Sequence, residues 1–203
     1  MTPQYCNDVS AADWIVQAHI PWEQLVYFGP PDFPAYARLR FIPDPTKPGQ
    51  AEGDVDIAED HPTDMGQTRR ALDHLRRFTA TPEDCYFCVW EGYPHYFPPS
   101  VLDGPMVTIA SNTWSPPRRI PMRRYFLLHG SLTALGSWDE LHGGGDHPPA
   151  FVWPADHSWC FASDVDPHWA GIGAEQAAID SLLNAHELDV VTAQPTEPQP
   201  TYY

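Results

Sequence analysis

The stretch that most constrains the fold is residues 151–185, which read FVWPADHSWCFASDVDPHWAGIGAEQAAIDSLLNA. Two apolar runs, 151–153 and 159–165, predict strands, and the run 174–186 predicts an amphipathic helix. Acidic residues and a histidine follow the second strand directly. We therefore expect a folded sheet edge whose polar end can bind a ligand.

Shorter patterns elsewhere complete the sheet and its helices. Residues 36–42 (YARLRFI) alternate polar and apolar side chains, which predicts a half-buried strand, and the apolar stripe of residues 67–78 predicts a helix. Further strands are predicted at 24–28, 86–90, 105–109, 125–128 and 188–191. Together these patterns predict one α+β domain over residues 1–193, with a mostly antiparallel sheet of about five to seven strands and about three packed helices.

Two segments are predicted to be the least ordered parts of the chain. The 24 prolines are more than twice the usual share of about 5%, so long Pro-rich loops are expected. Residues 43–65 combine prolines with many acidic residues and few large apolar side chains, which predicts a long acidic loop. Residues 194–203 hold three prolines and predict a flexible C-terminal tail.

The charge restricts the classes of partner. The net charge is −16, from 27 acidic and 11 basic residues. Such a chain repels duplex nucleic acid and anionic membranes and attracts basic proteins and cations, although simple solubility is an alternative explanation. The arginines cluster at 69–77 and 118–124, and the second cluster is predicted to form a basic lip between two strands.

The first residues and the cysteines of the sequence predict the cellular compartment of the protein. The sequence does not open with a basic start and an apolar run, and no stretch approaches the length of a membrane span. We therefore predict a cytoplasmic protein whose four cysteines, Cys6, Cys85, Cys88 and Cys160, are free thiols. Cys85 and Cys88 have the spacing of a zinc or redox pair, but strand residues three apart point to opposite faces, which disfavours chelation.

The best candidate for a polar site is Asp164, Asp166 and His168, at the end of the strand 159–165. The two carboxylates share one side of the strand, and His157 precedes its start. Carboxylates and imidazoles of this kind hold a divalent metal ion or transfer protons. No other cofactor is predicted. The alternative is a plain turn, because aspartates beside proline often hydrogen-bond their own backbone.

Tryptophans are the candidates for a protein-binding groove. Trp153, Trp159 and Trp169 can line such a groove, and packing in the core is the alternative.

Two weaker patterns contain glycine. Residues 142–147 (HGGGDH) place two imidazoles and a carboxylate around a flexible turn, and residues 171–173 (GIG) resemble half of a dinucleotide fingerprint or a tight entry to the following helix.

Three runs carry a resemblance to a known family. Residues 33–43 (FPAYARLRFIP), 85–93 (CYFCVWEGY) and 151–183 resemble, in order, a family of uncharacterised bacterial proteins from high-GC Gram-positives. The resemblance covers most of the chain, implies a cytoplasmic bacterial protein and transfers no functional residue. A looser similarity to toxin-immunity proteins, which are often acidic and of mixed α/β structure, has no matching motif and is analogy.

Three hypotheses for function follow. The first is a non-enzymatic acidic protein that binds a basic protein partner, for example as an immunity factor or inhibitor, because the chain has no complete catalytic signature. The second is a metal-binding protein or metal-dependent enzyme that uses the strand end at 164–168. The third is a nucleic-acid mimic, for which the loop 43–65 supplies only a few carboxylates.

Overall fold

The core of the protein is one antiparallel sheet with helices on both faces. The computed structural model describes residues 2–93, 97, 99–111, 121–138 and 147–203. The strands are β1 Gln4–Tyr5, β2 Ala35–Arg40, β3 Cys85–Trp90, β4 Val107–Ala110, β5 Pro121–Gly130, β6 Phe151–Pro154, β7 Trp159–Ala162, β8 Trp169–Ala174 and β9 Val190–Thr192. The α-helices are α1 Asp13–Val16, α2 Trp22–Phe28, α3 Asp64–Leu75, α4 Pro99–Leu102 and α5 Gln176–Leu183.

The strand order is β1-β5-β3-β6-β7-β8-β2-β9, and β4 also pairs with β5. Every pairing is antiparallel. The predicted α+β class with a mostly antiparallel sheet is therefore confirmed, but the sheet has nine strands and the described residues form five α-helices, more than predicted. None of these helices is both long and apolar enough to cross a membrane.

Alternation along each strand divides the core into two faces. On β2, Ala37 and Leu39 are buried on the first face, and Arg38 and Arg40, which alternate with them, point to the second, as the sequence predicts. Helices α3 and α5 and a 3-10 segment at Leu132–Ser137 cover the first face. Helices α1 and α2 cover the second face. The result is a three-layer arrangement in which both faces of the sheet are buried.

Residues 24–28 belong to helix α2, and the strand predicted there is wrong. Pro21 precedes this helix, and Gly29, with a φ of +77°, follows its last residue. The residues of α2 that are buried are Leu25, Val26 and Phe28. An apolar run this short has no period that separates strand from helix, so its packing on the sheet decides the outcome.

Residues 169–174 form β8, which the sequence patterns did not predict. The glycines here are neither a nucleotide-binding turn nor a helix entry. A Cβ on Gly171 would lie 2.1 Å from the carbonyl oxygen of Tyr27, and one on Gly173 would lie 2.5 Å from the ring of Phe33. Glycine in this strand therefore allows α2 and the chain after it to approach the sheet closely.

The acidic loop 43–65 and the segment 194–203 meet beside the end of β2. The backbone N–H of Tyr203 donates a hydrogen bond of 2.9 Å to the carbonyl oxygen of Gln50, and the Tyr202 hydroxyl donates a hydrogen bond to the carbonyl oxygen of Pro43. The flexibility of both segments stays a prediction, but each has specific contacts with the other. The segment 194–203 thus contributes to the surface of the folded molecule.

Candidate functional site: an acidic and aromatic groove

One buried cluster on the second face is centred on Arg123 of β5. Its guanidinium donates to both carboxylate oxygens of Asp164, at 2.9 and 2.8 Å, and lies 5.4 and 5.8 Å from the ring centroids of Trp22 and Trp90. A further hydrogen bond of 3.2 Å reaches Asp166. The side chain of Asp164 is only 2% exposed, so its charge is neutralised inside the protein.

A second, partly buried cluster is centred on Asp44. Arg38 donates to both of its carboxylate oxygens at 2.7 and 2.9 Å, Arg40 donates at 3.1 Å, and Nε2 of His168 lies 3.0 Å from Oδ1. Burial opposes the charged form of Asp44, but these donors outweigh it and hold its pKa well below the usual value. Burial lowers the pKa of His168 more than the nearby carboxylate raises it.

The structure separates the residues that were predicted to bind a metal ion. Asp164 and Asp166 belong to the first cluster, and His168 belongs to the second. His157 lies at the opposite end of β7, where its ring stacks on Trp14 with the centroids 4.1 Å apart. The structure therefore does not bring His157 together with the other three residues. Within the part of the chain that the structure describes, no group of three or more His, Cys, Asp or Glu residues is placed to hold a metal ion.

Cys85 and Cys88 lie on opposite faces of the sheet. Cys85 is buried in the first-face core, and Cys88 is buried with Cys160 in the second-face core. All three are free thiols, and burial raises the pKa of each. The prediction that a strand directs these two thiols apart is confirmed.

The tryptophans predicted to line a groove are buried. Trp153 and Trp159 are 0% exposed and Trp169 is 1% exposed. Packing in the core therefore accounts for Trp153 and Trp159. Trp169 differs because the segment 194–203 lies against it, and its indole N–H donates a hydrogen bond of 3.3 Å to the carbonyl oxygen of Pro200.

An open groove lies on the second face between α2 and the segment 194–203. It consists of two adjoining cavities, of 490 and 260 Å³, which share Tyr27 and two further residues. The larger cavity has an aromatic floor made by Tyr27, Phe28 and Trp169. The ring centroids of Tyr27 and Phe28 lie 5.7 and 5.2 Å from that of Trp169. We call these two cavities together the groove.

Both cavities of the groove are lined by acidic residues. Glu23 on α2 and Glu197 line the larger cavity, and Glu52 and Asp166 line the smaller one. No lysine or arginine among the described residues lines either cavity. Burial is the main cause that raises the pKa of Tyr27, and the charges of Asp164 and Asp166 add to it while Arg123 opposes them. The groove therefore attracts cations.

Sequence reasoning missed this groove. Of the residues predicted to bind, Asp166, His168 and Trp169 line it. The other predicted residues do not line the groove. Tyr27 was not proposed as a binding residue, because residues 24–28 were predicted to form a strand and not the helix α2. The glycine loop 142–147 lies outside the described residues except for His147, as does the part of the basic lip before residue 121. The rest of that lip is the start of β5, where Arg123 points into the protein.

Comparisons with family models, with curated proteins and with solved structures give no match. The family resemblance described for the sequence stays a prediction.

Proposed function

We propose that this is a non-enzymatic binding protein that recognises a basic protein partner through the groove. The observation that carries the proposal is an open cavity that is lined by aromatic rings and by two exposed carboxylates, and by no described lysine or arginine. Tight protein complexes combine a desolvated aromatic centre with a charged rim, and complementary charge speeds their association. An immunity factor or an inhibitor of a basic protein is the concrete form of this function.

Catalysis at the strand end 164–168 has less support. A general base or a metal ligand needs a lone pair that faces substrate or metal. Both oxygens of Asp164 already accept hydrogen bonds from Arg123, and Nε2 of His168 lies beside Asp44. Freeing such a group would leave a buried charge without its partner, at a cost of about 3–5 kcal/mol. These contacts favour a structural role for the strand end.

The proposal is tested by an affinity pull-down with the tagged full chain from lysate of its native cells, at about 50 mM and about 500 mM salt. We expect one basic protein to be captured at low salt and lost at high salt. Replacing Glu23→Lys together with Glu197→Lys reverses the charge of the larger cavity and should abolish the capture.

The control makes the same change of net charge away from the groove. Asp56→Lys together with Glu59→Lys alters two exposed residues of the loop 43–65. This variant should retain most of the capture. Equal loss in both variants would mean that total charge decides the interaction, which contradicts recognition by the groove. No basic partner with the wild-type protein at either salt concentration would contradict the proposal as a whole.

A further inference from the structure

We infer that the larger cavity of the groove is the subsite for one arginine side chain of the partner, with its guanidinium beside Tyr27 and within reach of Glu23 and Glu197. This inference rests on the proposed function and adds the chemical class of the bound group.

Two arginines of the protein itself already occupy sites of this kind on the second face. Arg123 donates two hydrogen bonds to Asp164 and lies over the rings of two tryptophans. Arg38 donates two hydrogen bonds to Asp44 and lies 5.3 Å from the ring centroid of Trp169. In both sites an aromatic face contacts the guanidinium while a carboxylate accepts from its edge.

The larger cavity contains the same two components. Tyr27 is half-buried and supplies an aromatic ring, and Glu23 and Glu197 are exposed carboxylates. Unlike the two internal sites, it is lined by no arginine or lysine of the described chain. Its volume of 490 Å³ falls within the range of about 300–1,000 Å³ that small-molecule sites occupy, so it can accept a long side chain.

The chemistry favours a guanidinium over an ammonium group. A guanidinium is planar, stacks on aromatic rings and presents several donors in one plane, whereas an ammonium group is more strongly hydrated. Glu23 lies on α2 and Glu197 lies in the segment 194–203, so the two carboxylates belong to opposite walls of the groove. One guanidinium bound between the walls therefore donates hydrogen bonds to a carboxylate of each wall.

The inference is tested by titrating the full chain with N-acetyl-arginine methylamide and following the indole N–H signal of Trp169 by NMR. We expect weak, saturable binding with a Kd on the order of 1 mM. N-acetyl-citrulline methylamide has nearly the same shape without the charge and should bind at least about tenfold more weakly. N-acetyl-lysine methylamide should bind about threefold more weakly than the arginine probe.

Variants locate the binding. Glu23→Gln together with Glu197→Gln should weaken binding of the arginine probe about fivefold, because two exposed ion pairs are lost. The matched control, Asp56→Asn with Glu59→Gln, removes the same charge from the loop 43–65 and should leave the affinity unchanged. Equal binding of the arginine and citrulline probes, equal binding of the arginine and lysine probes, or an unchanged affinity in the groove variant would each overturn the inference.

The two proposals fail in different ways. Binding of the arginine probe without a basic partner in the pull-down would overturn the proposed function and support the subsite. A basic partner captured through the groove, with no binding of the arginine probe, would overturn the subsite and support the proposed function.

Discussion

The Arg123 cluster and the groove contain the same kinds of side chain but hold their carboxylates in opposite ways. In the cluster, Asp164 is 2% exposed and both of its oxygens accept from one guanidinium. In the groove, Glu23 and Glu197 are exposed and share a cavity that no described lysine or arginine lines. The aromatic rings beside the carboxylates are present in both places.

This difference shows that acidity alone does not identify the functional carboxylates of a chain with a net charge of −16. A buried carboxylate depends on its partner, because removing that partner leaves a charge in a medium of low dielectric constant. An exposed carboxylate contributes little to stability, yet it is accessible to a ligand. We therefore expect substitutions in the cluster to change stability and substitutions in the groove to change binding.

The largest expected effect is that of Arg123→Ala. It leaves the buried charge of Asp164 without its donors, so the free energy of unfolding should fall by about 3–5 kcal/mol. Urea unfolding at neutral pH, followed by tryptophan fluorescence, measures the change.

The neighbouring residue on β5 provides the control for this prediction. Arg124 is 50% exposed and donates to Glu91 at 2.6 Å. Arg124→Ala should change the free energy of unfolding by less than about 1 kcal/mol, as for other surface ion pairs. If the two alanine variants lose equal stability, the distinction between buried and exposed charges in this protein fails.

The sequence patterns located strands both where polar and apolar residues alternate, as in β2, and where a short apolar run is bounded by turns, as in β6 and β7. β2 was predicted because Tyr36, Arg38 and Arg40 alternate with apolar residues, and this alternation follows directly from strand geometry. β8 was missed because its two glycines interrupt the apolar pattern and were interpreted as part of a turn or as the entry to the following helix. Gly171 is needed because the backbone of α2 packs closely against it. Helix α2 lies more than a hundred residues earlier in the chain, so no local sequence pattern contains that contact.

The candidate site was only partly predictable for the same reason. Asp164 and His168 were assigned to one candidate site because they are close in sequence. Their partners are distant: Arg123 lies 41 residues before Asp164, and Asp44 lies 124 residues before His168. Residue spacing identifies the side chains at one strand end, but sheet order decides which other elements meet them. The groove combines α2, the strand end and the segment 194–203, so its assembly could not be read from any one motif.

The Asp44 cluster predicts a smaller effect that depends on pH. Burial, partly offset by Asp44, lowers the pKa of His168, so the folded protein favours the neutral imidazole. The unfolded chain takes up a proton near its ordinary pKa of about 6.5, so stability is present above that pH and is lost as the pH falls below it. Asp44 also lowers the stability as the pH falls, but at lower pH, because its pKa in the folded protein is held below the ordinary value of about 3.9.

We therefore expect the free energy of unfolding to fall between about pH 7 and about pH 5, with a contribution from His168 of at most about 1.4 kcal/mol per pH unit. Urea titrations at several pH values should show a shallower decline for His168→Gln than for the wild-type protein. The groups around His168 that set this response are Asp44, Arg38 and Glu52. An equal decline in the two proteins would show that His168 is not held neutral by its surroundings.

The smallest expected effect on stability is that of Glu23→Gln together with Glu197→Gln. Both residues are exposed, so the free energy of unfolding should change by less than about 0.5 kcal/mol in urea titrations at neutral pH. Any small gain would come from relief of repulsion in a chain of net charge −16. The same variant should bind the arginine probe more weakly, and the loss of binding without loss of stability would separate the groove from the buried clusters. A loss of stability comparable to that of Arg123→Ala would instead mean that Glu23 and Glu197 stabilise the fold, because a ligand-binding role alone does not require their charge in the free protein.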